Sequence, residues 1–182
     1  MECVYLRMSL LVLASPVFDP KDFEWIQSWR EKNDELFGIV EPHFTIVFAI
    51  DDWPEEEFIK EIEVQTKGVG EIEFKIKKAI AHKDEFRDLY HEFLVPGKGY
   101  EEIAALHDKL YARSLLPHWR QDIEYIPHIT IGNSTDKLKC EKDVAELNSA
   151  ELMISGRIDN LTIVKYSNSK MKLVKELELK DK

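Results

Sequence analysis

The chain has 182 residues, room for one domain, and its 44% hydrophobic and 10% aromatic content excludes disorder. Its 35 acidic residues outweigh 25 basic ones, giving a formal net charge of -10. That excludes a surface built to grip long nucleic acid, which takes many lysines and arginines to displace counterions, yet leaves room for a small anionic ligand in one local pocket.

Val4 to Leu13 is a compact apolar run closed by Ser15-Pro16, which predicts a central strand. Its core, Met8 to Ser15, resembles the apolar centre of a signal peptide, but it lacks a basic leader and a small-x-small cleavage site. No apolar run reaches the roughly 18–20 residues that span a bilayer, so no membrane association is expected. The two cysteines, Cys3 and Cys140, lie far apart and read as free thiols in a reducing, cytoplasmic setting. The sequons at Asn133 and Asn160 matter only in a secretory context.

Asp19-Pro20 opens a helix, a capping carboxylate followed by proline in the first turn. Phe23, Ile26, Trp29 and Ile39 carry its apolar side, and Gly38 is expected to stop it. His43 to Ile50 forms a second strand rich in β-branched and aromatic residues. Pro54 starts another helix, with Phe58, Ile62 and Val64 near helical spacing. Beyond Gly68 and Gly70, Ile72, Phe74 and Ile76 alternate with Glu71, Glu73, Lys75 and Lys77, the signature of a half-buried strand. Leu89 to Val95 reads as its antiparallel neighbour, ended by Pro96-Gly97. A helix from Tyr100 to Ser114 follows, with Ile103, Leu106, Leu110 and Tyr111 on one face. Then come a strand at His128 to Gly132, a helix near Glu141 to Asn148, a strand within Glu151 to Val164 and a last strand at Met171 to Leu179.

The order repeats: strand, helix, histidine strand, helix, strand, with the two histidine strands 85 residues apart. Repetition at this length predicts two pseudo-symmetric α/β lobes in one α+β domain, with halves of roughly 1–95 and 96–182. No Pro/Gly/Ser-rich linker separates them, and strands can be exchanged between them.

Both repeats carry one pattern at one point, Pro42-His43-Phe44-Thr45 and Pro127-His128-Ile129-Thr130. Side chains alternate along a strand, so each offers one imidazole and one hydroxyl to a single face and turns its apolar residues to a helix. Two histidines with ordinary pKa near 6.5 can be held one neutral and one protonated around pH 7. The neutral ring takes a proton from an attacking water, and the cationic ring returns one to the departing oxygen. The threonines can donate to non-bridging phosphate oxygens, where transition-state charge accumulates. Two-fold-related lobes place acid and base on opposite sides of a phosphorus atom, and the scheme calls for no metal. One His-x-Thr is weak evidence; two that follow proline, open an apolar strand and recur at the repeat offset are not. A zinc site would need a third ligand, which the sequence does not nominate.

The paired motifs resemble those of the 2H phosphoesterase superfamily, which contains the bacterial RNA 2′,3′-cyclic phosphodiesterases long called 2′-5′ RNA ligases. The resemblance covers nearly the whole chain in element order and is carried at residue level by the two motifs. It implies a bilobal fold with mainly antiparallel sheet, outer helices and a central cleft, and catalysis without cofactor or metal. It also implies His43 and His128 as the acid/base pair, with Thr45 and Thr130 as phosphate-oxygen donors. His128 is expected to be the base and His43 the acid. Opening of a cyclic phosphodiester, at a nucleoside or an RNA terminus, is the leading function, in a monomer. The alternatives are a 2′-5′ ligase, which the acidic composition disfavours, and a non-catalytic nucleotide- or phosphate-binding protein.

Secondary candidates are Tyr5 and Arg7, which share a face of the first strand, with Arg7 able to pair a phosphate. Trp119, in the loop before His128, can stack on a base, though packing on the core is a tryptophan's commoner fate. His91 reads as a satisfied core histidine. His82, His107 and His118 read as structural or solvated, and Lys75 and Lys77 as lining the cleft mouth or, equally, as a solvated strand face.

Overall fold

Asp19 takes extended backbone ahead of Pro20, and the first helix, α1 (Pro20–Asn33), starts there with Asp22 in its first turn and Arg30 and Lys32 in its last. Those charges complement the helix dipole. In the computed structural model, which describes residues 8–51, 53–167 and 170–180, α1 ends at Asn33, not at Gly38. The reason lies in Asp34. Its N–H bonds the Arg30 carbonyl, and its carboxylate holds the Arg30 guanidinium and caps the Leu36 N–H. Gly38 turns the loop that follows with φ 77°.

The remaining elements follow the expected order. The strands are β1 (Ser9–Ala14), β2 (Val17–Phe18), β3 (Phe44–Asp51), β4 (Ile72–Lys83), β5 (Tyr90–Lys98), β6 (Ile129–Ser134), β7 (Ile154–Ile158), β8 (Asn160–Ser167) and β9 (Lys170–Glu178). The helices are α2 (Glu55–Thr66), α3 (Tyr100–Tyr111) and α4 (Lys137–Ser149), and a 3-10 turn at Arg113–His118 follows α3. The segment read as one strand between Glu151 and Val164 is two strands, β7 and β8, which belong to different sheets.

All strand pairs are antiparallel. One sheet has the order β3-β1-β8-β9 and the other β2-β7-β4-β5-β6, so each draws on both halves of the chain. A single apolar core runs across both sheets and under the helices, with Ile26 from α1, Phe58 and Ile62 from α2, Leu110 from α3 and Leu147 from α4. Phe44 of β3 meets Phe74 of β4 edge-on at 5.2 Å, an aromatic contact joining the two sheets. Val64, placed by spacing on the apolar side of α2, is instead exposed, and Gln65 is buried against the Ala112 carbonyl.

Candidate active site

β3 and β6 are both edge strands, one at the end of each sheet, and each motif histidine stands immediately before its strand. Pro42 and Pro127 are buried ahead of them, and a proline biases the preceding residue to extended backbone, which launches the strand. Phe44, Ile46, Ile129 and Ile131 are fully buried in the core. His43, Thr45, His128 and Thr130 are half-buried on the opposite side, here termed the motif face. The alternation anticipated from sequence holds in both strands.

The rings are fixed in the same way twice. His43 Nδ1 lies 2.7 Å from the Glu41 carbonyl, and His128 Nδ1 lies 2.5 Å from the Ile126 carbonyl. A carbonyl only accepts, so each Nδ1 carries the proton and each Nε2 is left as the reacting nitrogen.

The open edge of β3 is closed by side chains that sequence reasoning did not place at the site. The Tyr125 hydroxyl, three residues before His128, donates to the Thr45 carbonyl at 3.0 Å. His107 Nδ1 donates to the Ile46 carbonyl at 2.8 Å, and the Phe48 N–H donates to the Tyr111 hydroxyl at 3.0 Å. The Tyr125 and His107 rings stack at 3.7 Å with planes 4° apart. These contacts tie the loop leading to the second motif onto the strand of the first. The resulting proximity is felt electrostatically, because a charge on His43 lowers the pKa of His128.

The two imidazoles sit in different fields. Burial, joined by the neighbouring His43, His91 and His82, pushes His128 down to about 4 against the pull of its Ile126 hydrogen bond. Burial also lowers His43, opposed by its Glu41 hydrogen bond; Arg30 lowers it further and Asp34 raises it. At pH 7 both rings are therefore mainly neutral in the protein by itself, rather than one neutral and one charged as expected from ordinary values.

Arg30 is only 1% exposed. It bonds Asp34 Oδ2 at 2.7 Å, Gln27 Oε1 at 3.0 Å and the Val40 carbonyl at 2.8 Å. Asp34 Oδ1 in turn accepts from Asn133 of β6 at 3.3 Å. This buried pair links α1 to β6 and to the loop that leads into β3.

A family model described as the 2′-5′ RNA ligase superfamily matches residues 18–170. The chain belongs to that superfamily. The resemblance to 2H phosphoesterases drawn from the two motifs is thereby borne out, as is a mixed α/β fold of antiparallel sheets. Among curated proteins, none matches the sequence at a significant level. Among solved structures, E. coli LigT complexed with 3′-AMP is 14% identical with a TM-score of 0.55, over 96% of this chain and 99% of that one. TT0787 of Thermus thermophilus is 11% identical with a TM-score of 0.58, over 96% and 99%. Usb1 of Kluyveromyces marxianus with uridine monophosphate is 9% identical with a TM-score of 0.50, over 91% and 96%. At these identities the likeness is one of fold.

Within this superfamily member, the surroundings of His128 are aromatic. Phe93 lies opposite Thr130 in the β5–β6 register and stacks on the His128 ring at 3.6 Å with planes 16° apart. His82 and His91 face each other across β4 and β5, and both rings lie against Phe93, at 5.3 and 5.5 Å. His91 is thus not a satisfied core residue. It stands on the motif face with Nε2 donating to Asp84 at 2.8 Å, and its Nδ1 is buried without a partner. His82, read as structural or solvated, belongs to the same face. The sequence signal was available in the pairing of two histidines across a predicted hairpin, but the register was not.

Tyr5 and Arg7 lie outside the described residues. Trp119 packs half-buried against the core and borders a cavity of about 420 Å³ lined also by Asp108, Ile123, Glu124 and Tyr125; none of the motif residues lines it. Lys75 and Lys77 are exposed on β4. His107 is structural, 2% exposed, and His118 is exposed beside Trp53. Cys140 is a free, buried thiol. Among the described residues, no group of three or more His, Cys, Asp or Glu is placed to hold a metal ion, and no helix is long and apolar enough to cross a membrane.

Proposed function

We propose that this protein opens a cyclic phosphodiester, of the nucleoside or RNA-terminal 2′,3′-cyclic phosphate type, by two-histidine acid/base catalysis. One observation carries the reading: two His-x-Thr strands, one at the edge of each sheet, present two imidazoles, each with Nδ1 tied to a carbonyl and Nε2 left to react. Water attacks phosphorus and gives its proton to His128 Nε2, while the P–O bond to the ring oxygen breaks and that oxygen takes a proton from His43 Nε2. The product is a phosphomonoester, and proton exchange with solvent resets the pair.

The assignment of roles rests on the fields around the rings. His128, with a pKa of about 4, stays neutral through the physiological range and suits the base. His43 is the ring that a bound phosphate anion can charge, since negative charge beside an imidazole raises its pKa. Thr45 and Thr130 donate to the non-bridging oxygens. Small ligands support the scale of the site: LigT has been solved with 3′-AMP and Usb1 with uridine monophosphate. The net charge of -10 argues against ligation of two polynucleotide ends.

The test is hydrolysis of nucleoside 2′,3′-cyclic phosphates in excess EDTA by wild type, His43→Ala and His128→Ala. Turnover that survives the chelator and falls at least ~100-fold in each variant is expected. Loss of activity on chelation, or full activity in either folded variant, would overturn the reading.

A further inference from the structure

We propose that Lys78 and His82 of β4, backed by His91 of β5, form a subsite for a second phosphate of the substrate, placed on the β4 side of the phosphate that reacts. The inference rests on the proposed function for the position of the reacting phosphate, between His43 and His128.

The register puts the row where it is needed. Phe93 is opposite Thr130, Ile80 is opposite Phe93, and His82 is opposite His91. Cross-strand partners share a face, so Ile80 and His82 lie on the motif face, and Lys78 joins them by alternation along β4. The His82 and His128 rings both lie against Phe93, at 5.3 and 3.6 Å, a separation that the sugar of a nucleoside with phosphates at both ends can bridge.

The side chains are free to act. Among the described residues, neither the Lys78 nor the His82 side chain makes a hydrogen bond or ion pair, and both remain open to solvent in part. The neighbouring carboxylate, Asp84, is already engaged by His91 Nε2 and by the Phe86 and Arg87 N–H groups at 2.7 Å each. Glu92, next along β5, points to the other face, where it accepts from Trp29 Nε1 at 2.9 Å. A chain that is acidic overall thus leaves a lysine and two imidazoles in a row beside its motif.

Among the described residues, the motif face of the other lobe is apolar. On the motif face of the β3-β1-β8-β9 sheet, Leu13 is opposite Thr45, Leu11 is opposite Val164, and Val164 is opposite Leu173. Leu11, Leu13 and Val164 cluster with Val40 and Met171, and Leu173 is 54% exposed. An anionic extension of the substrate is therefore directed over β4, and its apolar or aromatic part over β1 and β8.

Calorimetric titration with adenosine 3′,5′-bisphosphate and adenosine 3′-monophosphate tests this without turnover. The bisphosphate is expected to bind at least ~10-fold tighter, the scale of one charge-assisted contact. Lys78→Gln and His82→Gln should each erode that preference, and the double variant, shown folded by its Tm, should abolish it. Lys142→Gln, which removes an exposed charge on α4, should keep it. Equal affinities in wild type, no binding of either nucleotide, or a preference that persists in the double variant would overturn the subsite. A bisphosphate preference in a protein inert on cyclic phosphates would overturn the proposed function and leave the subsite standing.

Discussion

The two motif strands are near copies in sequence and differ in everything packed around them. His43 lies near a buried Arg30–Asp34 pair, on a sheet whose motif face is apolar. His128 is pressed against Phe93 with two more histidines behind it, on a sheet whose motif face carries lysine and histidine. Pseudo-symmetry supplied two identical chemical groups, and packing made them unequal. In the proposed mechanism that inequality separates base from acid, because only a difference in environment can separate two imidazoles of equal intrinsic pKa.

The comparison can be broken most severely at Arg30. Arg30→Met leaves the Asp34 carboxylate buried and unpaired, and a loss of about 3–5 kcal/mol in urea unfolding is expected; a loss below ~1 kcal/mol would show that the pair holds nothing in place. The same variant removes a charge that lowers the His43 pKa and keeps one that raises it, so the alkaline limb of any pH–rate profile should move to higher pH.

The profile itself is the next test. kcat/KM reports the free enzyme. It should rise as pH climbs through about 4, where His128 loses its proton and becomes a base. It should fall again with a midpoint below pH 6.5, where His43, with its lowered pKa, ceases to be an acid. A maximum at or above pH 7.5 would refute this division of roles.

Phe93→Leu should reduce kcat about ten-fold through loss of the ring contact that orients His128, with a smaller change in KM. The acid limb should shift upward as water reaches the imidazole, and Phe93→Tyr should restore both. The mildest effect is expected from Tyr125→Phe, which deletes the bond to the Thr45 carbonyl at a cost of about 1 kcal/mol. Its signature is a lower Tm with an unshifted pH profile; a shifted profile would mean that Tyr125 acts on the histidines directly.

What local sequence determined was whatever a strand or helix decides within its own length. Alternation over two positions set His43, Thr45, His128 and Thr130 on one side and Phe44, Ile46, Ile129 and Ile131 on the other, because the pleat leaves no other arrangement. The proline before each histidine and the 85-residue repeat made the candidate pair legible with no coordinates at all. The end of α1 was misjudged because Asp34 stops the helix with a side chain, and a carboxylate's partner is not visible in a pattern of apolar residues. Glu92 is buried in β5 with a donor from Trp29, 63 residues away, a pairing no local pattern reveals.

Tertiary structure alone decided which strands share a sheet, that His82 and His91 stand beside His128, and that Tyr125 and His107 close the free edge of β3. Each depends on contacts between residues distant in the chain, and register, unlike alternation, is set by the partner strand. The sequence named the two histidines, and the fold made them different.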